Sequence, residues 1–306
     1  MVNNVSFSIT NRCNCHCAIC NIWQTTNFAD ELSVSEIKTL FSHPCFSQVD
    51  TINITGGEPL LRNDLPDIII GLRDTLPKLN RIFINTNGTN TAKIQKICDL
   101  STKLFNQVIL SVSLDGTQQT HDKLRGRKVY DNIIHLLNTI IGIPNLNISL
   151  SMTLSKANAN AYDLKHVYDI AQQKQCMFSF RFADNSSTYY KNTNLDLAVS
   201  QEQKQQVSRF IKQYCNTNEF LLCLKQFIDD GKLDILVKDG KNCCLAGKAF
   251  VFVHPNGVIA PCLYSPQQIT PEQLMSSDIS VGEKEPCPCC TDCAIYPMLE
   301  ELQKKR

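Results

Sequence analysis

Ser6-Phe7-Ser8-Ile9-Thr10 runs directly into Asn11-Arg12-Cys13-Asn14-Cys15-His16-Cys17-Ala18-Ile19-Cys20. The first five residues alternate as a half-buried strand does. The next ten form a loop in which Cys13, Cys17 and Cys20 are spaced C-x-x-x-C-x-x-C. Three thiolates held this close leave one corner of a cubane iron-sulfur cluster without a protein ligand, because a 4Fe-4S cluster normally takes four cysteines. A fourth iron left free can coordinate a small molecule. A tetrahedral zinc site completed by Cys15 or His16 fits the same residues.

Outward from this junction, short apolar or alternating runs are interleaved with longer helical patterns to about residue 183. Strands are read near 5–10, 49–55, 81–86, 107–114, 147–153 and 177–183. The first intervening helix is announced by a capping box of Ser33 and Glu36, an apolar face of Val34, Ile37, Leu40 and Phe41, and Pro44 beyond its end. Six strand-helix units in series imply parallel strands with helices outside, because parallel neighbours need a crossover. Gly56-Gly57, Asn87-Gly88 and Asp115-Gly116 stand just past the second, third and fourth strands, where barrel enzymes carry their chemistry. No G-x-G-x-x-G follows the first strand, so a dinucleotide fold has little support.

With 306 residues and 43% hydrophobic content, the chain can bury a sizeable core in one large domain or two smaller ones. A net charge of +1 offers no global attraction to nucleic acid or an anionic membrane, and neither partner is expected. No stretch approaches the roughly eighteen apolar residues of a membrane span, and the amino terminus lacks a signal peptide. The expectation is therefore a cytoplasmic protein. Its 16 cysteines read as metal ligands where clustered and as small core residues where scattered, as at Cys45, Cys98, Cys176, Cys215 and Cys223.

Past the second strand comes Thr55-Gly56-Gly57-Glu58-Pro59, in which adjacent glycines permit backbone approaches that a Cβ would forbid. Together with the cysteine loop, this stretch resembles the radical S-adenosylmethionine superfamily. Ile19 departs from the pattern, since an aromatic residue usually precedes the third cysteine. The resemblance implies an α/β fold, a partial (β/α)6 TIM-like barrel open at one side. It implies that Cys13, Cys17 and Cys20 hold a 4Fe-4S cluster whose open iron binds S-adenosylmethionine. Gly56, Gly57, Glu58 and Pro59 would then hold the methionine amino group. Ser111-Val112-Ser113-Leu114-Asp115-Gly116 and His121-Asp122-Lys123-Leu124-Arg125-Gly126 resemble a stretch of the same family. Ser113 and Arg125 are assigned to the methionine carboxylate and the ribose. Asn85, Asn87, Ser111, Ser151 and Thr153 are weaker contacts to ribose or adenine. His121 reads as a capped surface residue.

Beyond the sixth strand, Asn185 to Asn194 reads as a polar loop, and helices are read over 200–215 and 217–228. Ala249 to Val253 and Val258 to Ala260 flank His254-Pro255-Asn256-Gly257, a hairpin signal. Around it stand Cys244-Leu245-Ala246-Gly247, Cys262 and Cys287-Pro288-Cys289-Cys290-Thr291-Asp292-Cys293. Four such thiolates suit zinc or a cluster. The pattern resembles the auxiliary-cluster extensions SPASM and Twitch, in the shorter one-cluster form. That resemblance implies a second, auxiliary 4Fe-4S cluster on Cys244, Cys262, Cys290 and Cys293, with Cys287 as alternate. The expected domains are the barrel over 1–195, connecting helices over 196–235, and a small hairpin and Cys-rich cluster domain over 236–306.

The function these expectations give is that of a radical oxidoreductase or maturase, most simply one that oxidatively modifies a peptide. With Cys13 this close to the start, leader recognition is expected from another protein or from the barrel mouth. The alternatives are oxidation or epimerisation of a carbohydrate-like or cyclitol-like intermediate, and a non-catalytic zinc or iron-sulfur redox sensor. Epimerisation needs a thiol to return a hydrogen atom, for which Cys223 is the candidate. The expected partners are a peptide or small-molecule substrate and a reductant such as flavodoxin or ferredoxin.

Overall fold

Ile52 and Ile54, Ile82 and Ile84, Val108, Leu110 and Val112, and Leu150 and Met152 are fully buried, while Asn53, Asn85, Ser111 and Ser113 between them keep some exposure. A period of two with one face sealed and the other accessible is what a sheet covered by helices on one side alone produces. Each isoleucine taken from water on the sealed face stabilises the fold by about 1.5–3 kcal/mol. The structure, a computed structural model, describes residues 2–230, 237–238, 241–242 and 245–276.

The strands are β1 (Asn4–Ser8), β2 (Thr51–Thr55), β3 (Arg81–Thr86), β4 (Gln107–Ser113), β5 (Leu146–Leu154) and β6 (Met177–Phe182), each paired in parallel with the next. Between them run α1 (Val34–Phe41), α2 (Leu65–Thr75), α3 (Thr91–Leu104), α4 (Gln118–Arg125), α5 (Tyr130–Ile140) and α6 (Ala161–Gln173). Because strand order follows chain order without reversal, right-handed crossovers put every helix on one face, and the sheet curls around the other. A doubly wound sheet would reverse its order at a switch point. Among the described residues β6 ends the sheet at one edge and pairs only with β5, so the barrel stays open, as expected from the sequence.

Local signals place the first helix. Ser33 caps α1, its backbone N–H donating to Glu36 Oε2 at 2.8 Å, and Ile37 and Phe41 are buried beneath it. Phe41 packs edge-on against Phe7 of β1, with centroids 5.2 Å apart. After β6 come α7 (Gln201–Tyr214) and α8 (Glu219–Asp230), then the short pair β7 (Val237–Lys238) and β8 (Lys241–Asn242). The hairpin of β9 (Phe250–Val253) and β10 (Ile259–Ala260) forms around Gly257, whose φ is 81°. It extends the barrel sheet, since β9 pairs in parallel with β1. α9 (Pro271–Ser276) follows. No helix among the described residues is long and apolar enough to cross a membrane.

Candidate metal centre

The cysteine loop is braced from two sides. On one, Gly57 N–H donates to Thr10 O at 2.8 Å and Glu58 N–H to Arg12 O at 2.7 Å. The approach is so close that a Cβ on Gly56 would lie 2.3 Å from Thr10 O, and one on Gly57 2.2 Å from Arg12 O. On the other side, His16 N–H donates to Arg125 O at 3.0 Å and Ala18 N–H to Leu124 O at 2.8 Å, both at the end of α4. There Gly126 takes φ of 61°, and a Cβ would meet His16 O at 2.4 Å. The glycines at 56, 57 and 126 therefore serve contact with this loop.

Each of the three spaced sulfurs faces a donor. The backbone of Cys15 hydrogen-bonds to Cys13, Ile22 N–H donates to Cys20 Sγ at 3.5 Å, and Arg125 Nη1 lies 4.0 Å from Cys17 Sγ. Cys15, only 1% exposed, packs into the apolar core instead. Burial pushes the Cys13 thiol up to about 11 and that of Cys20 to about 12, and raises that of Cys17 against the opposing charge of Arg125. Thiolates are stable here only with added positive charge, which a bound metal supplies. Among the described residues, no three His, Cys, Asp or Glu side chains converge on one point suited to a single ion.

Glu58 is fully buried and its carboxylate is engaged within the protein. Oε2 accepts from Asn87 N–H at 2.7 Å, while Oε1 accepts from Thr86 Oγ1 at 2.9 Å and Leu60 N–H at 3.2 Å. Burial pushes its pKa up to about 7 in spite of these donors. It ties the glycine turn to the end of β3, and Asn87 Nδ2 continues the chain to Asn14 Oδ1 of the cysteine loop at 2.8 Å. Pro59 opens a short helical turn and is itself buried.

The inner face gathers most of the residues assigned to the cosubstrate. Asn85, Ser111 and Ser149 stand in one row across β3, β4 and β5, and Ser113, Ser151 and Ser179 in the next row toward the strand ends. Asn85 Nδ2 is committed to Asn53 Oδ1 at 2.6 Å. Arg125 Nε donates to Asp115 Oδ2 at 2.6 Å, and Asp115 Oδ1 accepts from Thr153 N–H at 2.9 Å. His121 is no surface residue. It is wholly buried, its Nδ1 accepts from Asp115 N–H at 3.0 Å, and burial lowers its pKa to about 4. The sequence reading missed the cause, the helix α4, whose apolar content is too small to announce it.

Two further residues escaped the sequence reading. Tyr189 Oη bridges the turn, donating to Gly56 O at 2.9 Å and accepting from Gly56 N–H at 3.2 Å. Asn192, fully buried, donates to Ile19 O at 2.8 Å. The interval read as a plain polar loop is thus a strap laid over the cysteine loop. Adjacent Tyr189 and Tyr190 inside so polar a stretch were the available signal.

Other assignments lie apart. Cys262 is half-buried. Cys244, Cys287, Cys290 and Cys293 fall outside the described residues, as does Cys289. Cys223 sits on α8, which packs against α7 and β6, and no described contact brings it to the cysteine loop.

Residues 7–155 match the Radical SAM superfamily. The chain is 30% identical over 210 residues to Fe-coproporphyrin III synthase of Methanosarcina barkeri, covering 65% of this chain and 49% of that protein. It is 23% identical over 276 residues to the antilisterial bacteriocin subtilosin biosynthesis protein AlbA of Bacillus subtilis, covering 87% of this chain and 56% of that one. The chain thus spans about half the length of these relatives. Its fold is shared with Streptococcus suis SuiB, solved bound to S-adenosylmethionine, with TM-score 0.68 and 14% identity over 94% of this chain and 66% of SuiB.

Proposed function

We propose, from the premise that this chain belongs to the radical SAM superfamily, that it is an enzyme that reductively cleaves S-adenosylmethionine and oxidatively modifies a peptide. Cys13, Cys17 and Cys20 would hold the 4Fe-4S cluster that the family implies. When bound, the cluster and cosubstrate supply the one-electron chemistry that yields a 5′-deoxyadenosyl radical able to remove hydrogen from an unactivated carbon. The chain's own part is to fix geometry. The observation that carries the reading is the cysteine loop, clamped between the glycine turn and the end of α4 with a donor on each of three sulfurs.

Other residues then take defined tasks. Ser111, Ser113 and Ser151 present hydroxyls along the accessible inner face, where the ribose and methionine groups would lie. Tyr189 fixes the backbone of Gly56, and the sealed outer face keeps water from the strands. Similarity to AlbA supports a peptide substrate.

An auxiliary 4Fe-4S cluster on Cys262 and the cysteines at 244, 290 and 293, with 287 as alternate, would accept the second electron after hydrogen removal. Anaerobic reconstitution is expected to load about eight irons per chain, four for each cubane. The triple Cys13/Cys17/Cys20→Ala variant should keep about half of them, whereas one zinc beside four irons would contradict the second cluster. The substrate assignment is tested by mass spectrometry on an acceptor peptide in deuterium oxide, supplied with S-adenosylmethionine and dithionite. A product two hydrogens lighter is expected. A product of unchanged composition carrying one solvent deuterium, lost in Cys223→Ala, would replace oxidation by epimerisation.

A further inference from the structure

We propose that Arg125 is a positioning charge for the Cys17 thiolate, aimed by Asp115, and that it sets how readily the bound cluster accepts its electron. The proposal rests on the assignment of Cys13, Cys17 and Cys20 to the cluster and goes beyond it. The sequence reading gives Arg125 to the cosubstrate carboxylate. The geometry places it on a cluster ligand beforehand.

The guanidinium is fixed from behind. Nε donates to Asp115 Oδ2 at 2.6 Å, with the Arg125 side chain 11% and the Asp115 side chain 1% exposed. Asp115 is itself immobilised through every polar atom. Oδ1 accepts from Thr153 N–H at 2.9 Å, its carbonyl accepts from Asn158 Nδ2 at 2.9 Å, and its N–H donates to His121 Nδ1 at 3.0 Å. The ends of β4 and β5 and the helix α4 thus converge on one carboxylate. What remains of the arginine fork points toward the loop, with Nη1 4.0 Å from Cys17 Sγ.

The three sulfurs are not equivalent in this arrangement. Cys13, Cys17 and Cys20 each receive a backbone N–H, and Cys17 in addition lies against the guanidinium of Arg125, whose charge Asp115 behind it offsets only in part. A 4Fe-4S cluster taking one electron from a low-potential donor gains a unit of negative charge, and its thiolates share it. A guanidinium held nearer the sulfur than the carboxylate that orients it, in a site shielded from water and salt, would stabilise that reduced form. Lys would keep the charge but lose the fork that Asp115 orients.

The test uses reconstituted holoenzyme without S-adenosylmethionine, in an EPR-monitored redox titration with dithionite as reductant. The first cluster is identified by the change in its signal when S-adenosylmethionine is added afterwards. In Arg125→Gln the ratio of reduced to oxidised cluster at fixed potential should fall about tenfold, equivalent to a midpoint about 59 mV lower for one electron. Arg125→Lys should recover most of that shift. An unchanged midpoint in Arg125→Gln, with only weaker cosubstrate binding, would overturn the proposal. Should that variant not retain iron, the parent protein labelled with guanidino-15N arginine decides the matter. Pulsed EPR of its reduced, cosubstrate-free first cluster should show a weak 15N coupling, and absence of that coupling overturns the proposal. A protein in which no cluster signal responds to S-adenosylmethionine would instead refute the cluster assignment itself.

Discussion

Replacement of Cys13, Cys17 or Cys20 by Ala is expected to abolish formation of 5′-deoxyadenosine, while Cys15→Ala retains it. All four cysteines lie within eight residues, and all four thiols are raised by burial, that of Cys15 to about 12. Their surroundings separate them. Hydrogen-bond donors face the sulfurs of Cys13, Cys17 and Cys20, and Cys15 lies in the apolar core with 1% exposure. Loss of one corner ligand would leave two thiolates for a cluster that, on the proposed assignment, takes three from the protein. Loss of the Cys15 sulfur removes one small core group, at a cost of about 1 kcal/mol in stability. Anaerobic assays of the four single variants, with iron content determined alongside, check this. An inactive Cys15 variant beside a competent Cys17 variant would reverse the ligand assignment.

Gly57→Ala is expected to be nearly as damaging, although the residue offers no side chain to any ligand. The added Cβ would fall 2.2 Å from Arg12 O, 2.7 Å from Arg12 C and 2.9 Å from Asn11 O. All three are backbone atoms that cannot turn aside, so either the turn or the loop must move. Moving either breaks the bonds from Gly57 N–H and Glu58 N–H to Thr10 O and Arg12 O, worth roughly 1 kcal/mol each. Cys13 is the next residue along, and a displacement near 1 Å at a reacting centre costs roughly a hundredfold in rate. Gly71→Ala on α2 is the control. There the Cβ meets the flexible Lys38 side chain at 3.2 Å and Val34 Cγ1 in ordinary contact at 3.8 Å, so unchanged activity is expected. Equal loss in both variants would show that the glycine turn does not position the loop.

The strands and their order were legible because each carries a period of two with Ile, Val or Leu on one face, and α1 because its capping box and apolar stripe coincide. The three cysteines proposed for the cluster stand out by their spacing, and the glycine turn by its composition. What the sequence did not disclose lies in long-range pairing. α4 is a polar helix with only His121 and Leu124 buried, so no apolar stripe marks it, and the burial of His121 and the inward turn of Arg125 followed it out of view. Their partner Asp115 looked like a turn residue because Gly116 follows it. The motif assigns Glu58 to the cosubstrate, and no local pattern discloses that its carboxylate also accepts from Thr86 and Asn87, nearly thirty residues on. Tyr189 reaches Gly56 across 133 positions, a closure that no local pattern encodes.

One measurement bears most directly on the braced loop as a radical S-adenosylmethionine centre. Anaerobically reconstituted protein is incubated with S-adenosylmethionine and dithionite, and 5′-deoxyadenosine is quantified by liquid chromatography and mass spectrometry. Time-dependent 5′-deoxyadenosine, absent without reductant and absent in Cys17→Ala, is the predicted result. A fully iron-loaded protein that leaves S-adenosylmethionine intact, or that cleaves it equally well without Cys17, would contradict it.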